Sequence, residues 1–301
     1  MALKTDIDSA ALVTGAFFVR NAFIVIGVAL FGLGVFALTV GTLAIPVAAA
    51  GPDLQTLLTM AAAYELKFIN DFENVVAEEL YVQEMSTPHR KRTIKSEYLF
   101  VRYPDVPGLM ALRDPFEVDG KPVRDATSAN RMMKLFTSPV PDSILRARAL
   151  AEEGARYNLL DIGTLNNPVL TMVLLQDNYR PRFRWNLAGI EKSLGPTIRT
   201  IRFEEFRIPS MFRMGANQDM LVRGLIWVDE ETGRVVKTRL QAGPFRIPPE
   251  IVTSFRHDDD LGIDVPAEMK DWYPDRQGEV RGTATYGRFR RFKVQTDESL
   301  K

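Results

Sequence analysis

Hydrophobic and polar positions change period three times along this chain. From Asn21 to Pro52 no charged residue occurs, and the core of that run, Ala22 to Ala44, is long enough to cross a hydrocarbon layer as a helix. From Asp53 the apolar positions Leu54, Leu57, Leu58, Ala61, Tyr64, Phe68 and Phe72 recur at helical spacing, with Glu65, Lys67, Asn70 and Asp71 between them. Asp53, following Pro52, is placed to cap this helix. Beyond Phe72 the period falls to two. Val75–Met85 and Arg92–Tyr103 read as strands joined by a turn at Ser86-Thr87-Pro88, with Ile94, Tyr98 and Phe100 on one face of the second. Leu109–Val118 adds a third strand and runs into Asp119-Gly120, a hairpin signal.

Residues 125–160 interrupt the strands with helical spacing. Ala126–Leu135 is one candidate helix; a second, capped by Asp142 or Ser143, extends to about Tyr157, with Pro139 and Pro141 between them. This insert suits a lid over one sheet face or a crossover connection. From Pro168 the strand pattern returns. Val169–Leu175 is too continuously apolar to assign. Arg182–Ala188 alternates Phe183, Trp185 and Leu187 against Arg182, Arg184 and Asn186. Further strands are expected at 197–206, 220–228, 234–242, 249–257, 263–266 and 279–294, giving nine or ten in all. Turns at these short intervals fit a single antiparallel barrel or sandwich. No linker and no internal repeat stands out.

The charge-free run ends in Ile45-Pro46-Val47-Ala48-Ala49-Ala50, small residues after a helix breaker, as at a signal-peptidase site. The run is longer than an ordinary cleaved signal, and Arg20 precedes it, so an uncleaved inner-membrane anchor through residues 21–50 is the alternative. Either reading exports residues 51–301, expected to form one domain. The chain of 301 residues has no cysteine, which excludes disulfides, thiolate metal sites and thiol nucleophiles. Its 38 cations balance 38 anions, and residues 1–50 hold two of each, so the remainder is also neutral. Nucleic-acid binding lacks its usual basic excess.

Candidate chemistry is sparse. His257-Asp258-Asp259-Asp260 with Asp264 is the cluster nearest a metal site, yet its spacing fits no calcium loop and suits a solvated turn. The pairs Glu152-Glu153, Glu204-Glu205 and Glu230-Glu231 are adjacent in sequence, and on a strand neighbours point to opposite faces. His89, in Pro88-His89-Arg90-Lys91-Arg92, and His257 are the two histidines, and neither lies in a nucleophile motif. No enzyme, cofactor or metal is therefore expected. Arginine and aromatic residues interleave at Arg180–Trp185 and Arg288–Lys293, as half-buried strands or as an apolar wall with a cationic rim.

The string Arg223-Gly224-Leu225-Ile226-Trp227-Val228-Asp229-Glu230-Glu231-Thr232-Gly233 resembles the Gly-x-Ile-Trp-Val-Asp-x-x-Thr-Gly hairpin of a group of uncharacterised exported bacterial proteins. Val265–Met269 and Gly282–Phe292 resemble the tail of the same group. The likeness spans about residues 53–294, and its plan is similar to the lipoprotein-carrier fold of the Lol type. The resemblance implies a mainly β protein with helices: an N-terminal helix, a curved antiparallel sheet forming an incomplete β-barrel, and the helical insert as lid. It further implies a hydrophobic ligand, lipid or lipoprotein acyl chains, in the concave face. Tyr64, Phe68, Tyr98, Phe100, Phe183, Trp185, Ile226 and Leu240 are the expected lining. The competing expectations are an envelope protein-interaction or sensor module without lipid, and a hydrolase whose ionisable groups meet only on folding.

Overall fold

The computed structural model describes residues 51–73, 75–101, 110–124, 152–159, 167–214, 218–275 and 278–291. The expected export segment, the candidate helix 126–135 and most of the 125–160 insert lie outside these residues. Helix α1 (Leu54–Phe72) forms where the spacing predicts it. The Thr56 amide donates to Asp53 Oδ1 at 2.7 Å and the Glu73 amide closes the last turn on Ile69 O. Its buried stripe is Leu57, Leu58, Ala61, Glu65, Phe68, Ile69 and Phe72.

Eleven strands make one antiparallel sheet. Along the chain they are β1 (Val75–Met85), β2 (Arg90–Val101), β3 (Met110–Val118), β4 (Lys121–Pro122), β5 (Phe183–Ile190) and β6 (Ile198–Glu205), followed by β9 (Val222–Asp229), β10 (Val235–Ala242), β11 (Glu250–Asp258), β12 (Ile263–Asp275) and β13 (Gly278–Arg291). Two two-residue strands, β7 (Arg213–Met214) and β8 (Gln218–Asp219), pair separately. The large sheet has the order β4-β3-β2-β1-β13-β12-β11-β10-β9-β6-β5. Every neighbouring pair in it is a sequential hairpin or meander step except β1 with β13 and β6 with β9. The sheet is curved but does not close: β4 and β5 are free edges, so neither a closed barrel nor a sandwich forms. Register shifts in β1/β13, β2/β3, β5/β6, β10/β9 and β11/β12 mark bulges, which sharpen local bending.

One unassigned segment is resolved and one expectation needs correction. Within Val169–Leu175, Leu170–Leu175 winds into a 3₁₀ helix with Thr171, Met172, Val173, Leu174 and Leu175 all buried. A segment enclosed on all sides needs no alternation, which is why its pattern was uninformative. The strand expected at 263–266 continues to Asp275. Pro266, Lys270 and Pro274 masked it, although Val265, Met269, Asp271 and Tyr273 are its buried positions.

The face covered by α1 collects one side of each strand. Ala77 lies opposite Tyr98, and Tyr98 opposite Arg113; Tyr81 opposite Ala284, and Ala284 opposite Met269; Leu240 opposite Ile251. Ile226 and Thr238 form a further inward pair.

Candidate functional site

The covered face divides into three zones. In the first, α1 inserts its C-terminal aromatics among strand aromatics. Phe72 packs on Phe100 with ring centroids 4.5 Å apart, Phe68 meets Phe255 edge-on at 5.9 Å, and Tyr98 links Phe100 to Tyr286. Tyr64 Oη donates to Asp264 Oδ2 at 2.7 Å, while His257 Nδ1 lies 3.2 Å from Asp264 Oδ1. The acidic cluster therefore spends Asp264 on tying α1 to the start of β12. Among the described residues no group of three or more His, Asp or Glu is arranged to hold a metal ion.

The second zone lies toward β5. Phe183, Trp185 and Phe203 form an aromatic triangle with centroids 5.7–5.8 Å apart. Trp185 Nε1 donates to Arg180 O at 2.9 Å, which satisfies its single donor. The 3₁₀ helix covers the middle strands, and Gln176 just after it donates to the buried Glu65 of α1 at 2.8 Å.

The third zone is polar, and strand parity alone could have announced it. In β1 the inward positions Val75, Ala77, Glu79, Tyr81, Gln83 and Met85 alternate without fault, which places Glu79 inside. The Arg113 guanidinium meets it in a fork, Nε to Oε2 at 2.5 Å and Nη2 to Oε1 at 2.8 Å, with side-chain exposures of 4% and 0%. The same guanidinium lies 4.4 Å from the Tyr81 ring centroid. Tyr81 Oη donates to Asp271 Oδ2 at 2.7 Å, Gln83 donates to Tyr81 Oη, and the Leu159 amide donates to Gln83. Burial pushes the Asp271 carboxyl up to about 6, against the Tyr81 hydrogen bond and the Arg113 charge, which pull it down. Burial, followed by the Asp271 charge, raises the Tyr81 phenol well above its ordinary range. Gly282 is required here by close approach: a Cβ would stand 1.8 Å from Asp271 Oδ1 and 2.6 Å from the Tyr81 ring.

The eight expected lining residues all reach this one interior. Phe68, Tyr98, Phe100, Phe183, Ile226 and Leu240 belong to a single buried cluster, and Tyr64 and Trp185 pack against it partly exposed. They touch one another and the α1 stripe. The Glu79–Arg113–Tyr81–Asp271 group was not anticipated.

The hairpin string that carried the resemblance is a turn-building device. Asp229 Oδ1 accepts from the Glu231 amide, the Thr232 amide and Thr232 Oγ1, each at 3.0 Å, and Oδ2 accepts from Thr197 Oγ1. Partial burial opposes ionisation of Asp229, but these donors outweigh it and hold the carboxyl below its usual range. Gly233 adopts φ +75°, and its missing side chain admits α1, since a Cβ would lie 2.6 Å from Met60 O.

On the opposite face a groove of about 590 Å³ runs over Leu80 and Phe116, edged by Glu78, Lys95, Thr285, Gly287 and Arg288. Its rim charges are compensated: Lys95 pairs with Glu117 at 2.8 Å and Arg288 with Glu78 at 3.1 Å.

No family model matches this chain, and no curated protein does. Among solved structures the chain is similar to a LolA superfamily protein from Nitrosomonas europaea, at 12% identity over 82% of this chain and 97% of that one, with a TM-score of 0.34. It is similar to a DUF1329 family protein from Desulfovibrio piger, at 12% identity over 82% and 94%, with a TM-score of 0.36. A domain described as an outer membrane lipoprotein-sorting protein, from Vibrio parahaemolyticus, matches at 10% identity over 81% and 93%, with a TM-score of 0.41.

Proposed function

We propose that this protein is a non-enzymatic protein of the cell envelope that holds a hydrophobic ligand, lipid or lipoprotein acyl chains, against the helix-covered face of its open sheet. In this reading residues 51–301 lie outside the cytoplasm, freed or anchored through residues 21–50. The observation that carries it is the nature of the cover. Helix α1 lays Leu57, Leu58, Ala61, Phe68, Ile69 and Phe72 on apolar strand residues, while Tyr64 bonds Asp264 and the Asp71 carbonyl accepts from Arg291. An acyl chain entering beneath α1 exchanges one apolar contact for another. Each buried methylene contributes roughly 0.8 kcal/mol, and no directional partner is required. The Glu79–Arg113 and Tyr81–Asp271 pairs bound the greasy zone on one side. Their pairing with one another and exclusion from solvent suit a structural seam better than a catalytic cluster.

The test has two arms. Native mass spectrometry of protein taken from envelope fractions should show added lipid mass, and delipidated protein should take up a dansyl-labelled undecanoic acid. Bridging Tyr64→Cys to Asp264→Cys with a short bis-maleimide should lower that uptake at least about tenfold, because the cover can no longer lift. Protein recovered bare, with no probe uptake after delipidation, sinks the proposal. A second reading, an envelope protein-interaction module, is supported by β5, an eight-residue edge strand with Leu187 and Ile190 exposed. Its signature is lipid-free pull-down of a partner that is lost on substituting the β5 edge and kept on substituting the interior.

A further inference from the structure

Two loops carry the same tetrapeptide. Phe206-Arg207-Ile208-Pro209 follows β6, and Phe245-Arg246-Ile247-Pro248 follows β10. Both strands pair antiparallel with β9, one on each side, so they run in the same direction and deliver the two loops to the same end of the sheet. The start of β9 lies between them, where the Gly243 amide donates to Leu221 O at 3.0 Å. Both copies face solvent: Ile208 is 73% exposed and Ile247 48%, with Phe206 at 39% and Phe245 at 37%. Leu221, also exposed, extends the patch. Apolar side chains gathered this way on a surface mark a contact site.

The projection is built rather than slack. Glu205, buried at the end of β6, accepts from Ser210 Oγ at 2.8 Å, from the Met211 amide at 3.1 Å and from the Val222 amide at 3.3 Å. Arg182 pairs with the same carboxylate and donates to the carbonyls of Arg207 and Pro209. The second loop is stiffened by Pro244, Pro248 and Pro249. Among charged side chains the two loops themselves carry only cations. Neither segment 206–212 nor segment 243–249 contains an acidic residue. The guanidinium groups of Arg184 and Arg207 lie 4.9 and 5.3 Å from the Phe206 ring centroid. The acids that flank the loops are engaged: Glu205 with Arg182, Asp219 with the Ser210 amide and Glu250 with Arg239, while Glu204 sits opposite Arg223 on one side and Arg184 on the other.

We propose that the paired Phe-Arg-Ile-Pro loops dock this protein onto an anionic lipid bilayer, with the arginines among the headgroup phosphates and the isoleucines reaching the acyl layer. Cations at the base of an apolar tip match the order of layers in a bilayer surface, phosphate outside and hydrocarbon beneath. Two prongs on a rigid sheet end act together, so the second inserts at high effective concentration once the first has.

The chain has no cysteine, so single cysteines at Ile208, Ile247 and, as control, Ile190 at the other end of β5 can each carry an NBD fluorophore. Full-length protein is mixed with phosphatidylcholine vesicles with and without phosphatidylglycerol, after circular dichroism confirms the fold of each variant. Any tether elsewhere in the chain is common to all three labels, so the difference between sites reads docking. The proposal expects a blue shift and quenching by doxyl lipids at 208 and 247 with anionic vesicles. It expects neither at 190, and a shifted fraction at least about tenfold lower in Arg207→Glu/Arg246→Glu. Unshifted labels at 208 and 247, equal shifts at all three sites, or indifference to the charge reversal would overturn it, whatever protein partner the loops then prove to contact. Acyl-probe uptake is measured without vesicles, so this result and that of the binding proposal fail separately.

Discussion

Arg113 and Glu79 illustrate how one residue pair constrains a whole face. Both charges are shut away from water, and the fork satisfies each through the other. Removing one partner leaves the other charged and alone, so Arg113→Met should cost about 3–5 kcal/mol in urea unfolding. The double variant Glu79→Leu/Arg113→Met should recover most of that loss; equal instability in the double variant would show that the guanidinium stabilises by stacking on Tyr81 instead. Asp271 makes the opposite contribution. Its folded carboxyl titrates near 6, above the ordinary aspartate value of 3.8 that applies when unfolded, so between those values the native state binds the extra proton. Stability from this group is therefore greatest at and below about pH 4 and falls as pH rises through 6, by on the order of 3 kcal/mol. Melting curves of the parent and Asp271→Asn between pH 4 and 7 should diverge in favour of the variant as pH rises. Parallel curves would remove Asp271 as the source.

At the scale of elements, α1 matters most, and its aromatic end is the firmest contact. Phe72 is fully buried among Phe68, Phe100 and Phe289, so Phe72→Ala should destabilise by about 3–5 kcal/mol and loosen the cover. Denaturant midpoints check the first effect, and faster release of a bound acyl probe checks the second. This helix was legible because its face has a strict helical period and a capping aspartate. The β1–β2–β3 meander, with its Asp119-Gly120 turn, and the β9–β10 hairpin were legible because one side of each strand is wet. Legibility failed where that contrast vanishes. The 3₁₀ segment 170–175 is buried throughout, and β12 interrupts its alternation with prolines and an inward Asp271. Inward Glu79 went unnoticed because a charged residue was read as outward by default. Of the eight residues expected to line the interior, Tyr64 and Phe68 were placed by helical period and the six on strands by parity; the strand residues' partners across the sheet depend on long-range register that no local window contains. The twin tetrapeptides were in plain view, yet four residues separated by 35 carry meaning only after the parallel run of β6 and β10 brings them together.

On the scale of the whole molecule the sheet leaves two edges, and they differ. β4 is two residues long, ends in Pro122, which has no amide to donate, and pairs only with Glu117 and Val118 at the end of β3. β5 offers a longer margin. Among the described residues no helix is long and apolar enough to cross a membrane. The most consequential pairing is β1 with β13, which joins residues near 80 to residues near 284 in the middle of the sheet. Chain order thus delays assembly. Until residues 278–291 emerge from synthesis, β1 and β12 each keep an unsatisfied side, and the half-made sheet has a gap at its centre where hydrogen bonds should be. A polypeptide whose keystone comes last stays threadable for longer, which is what the export proposed for this chain would require.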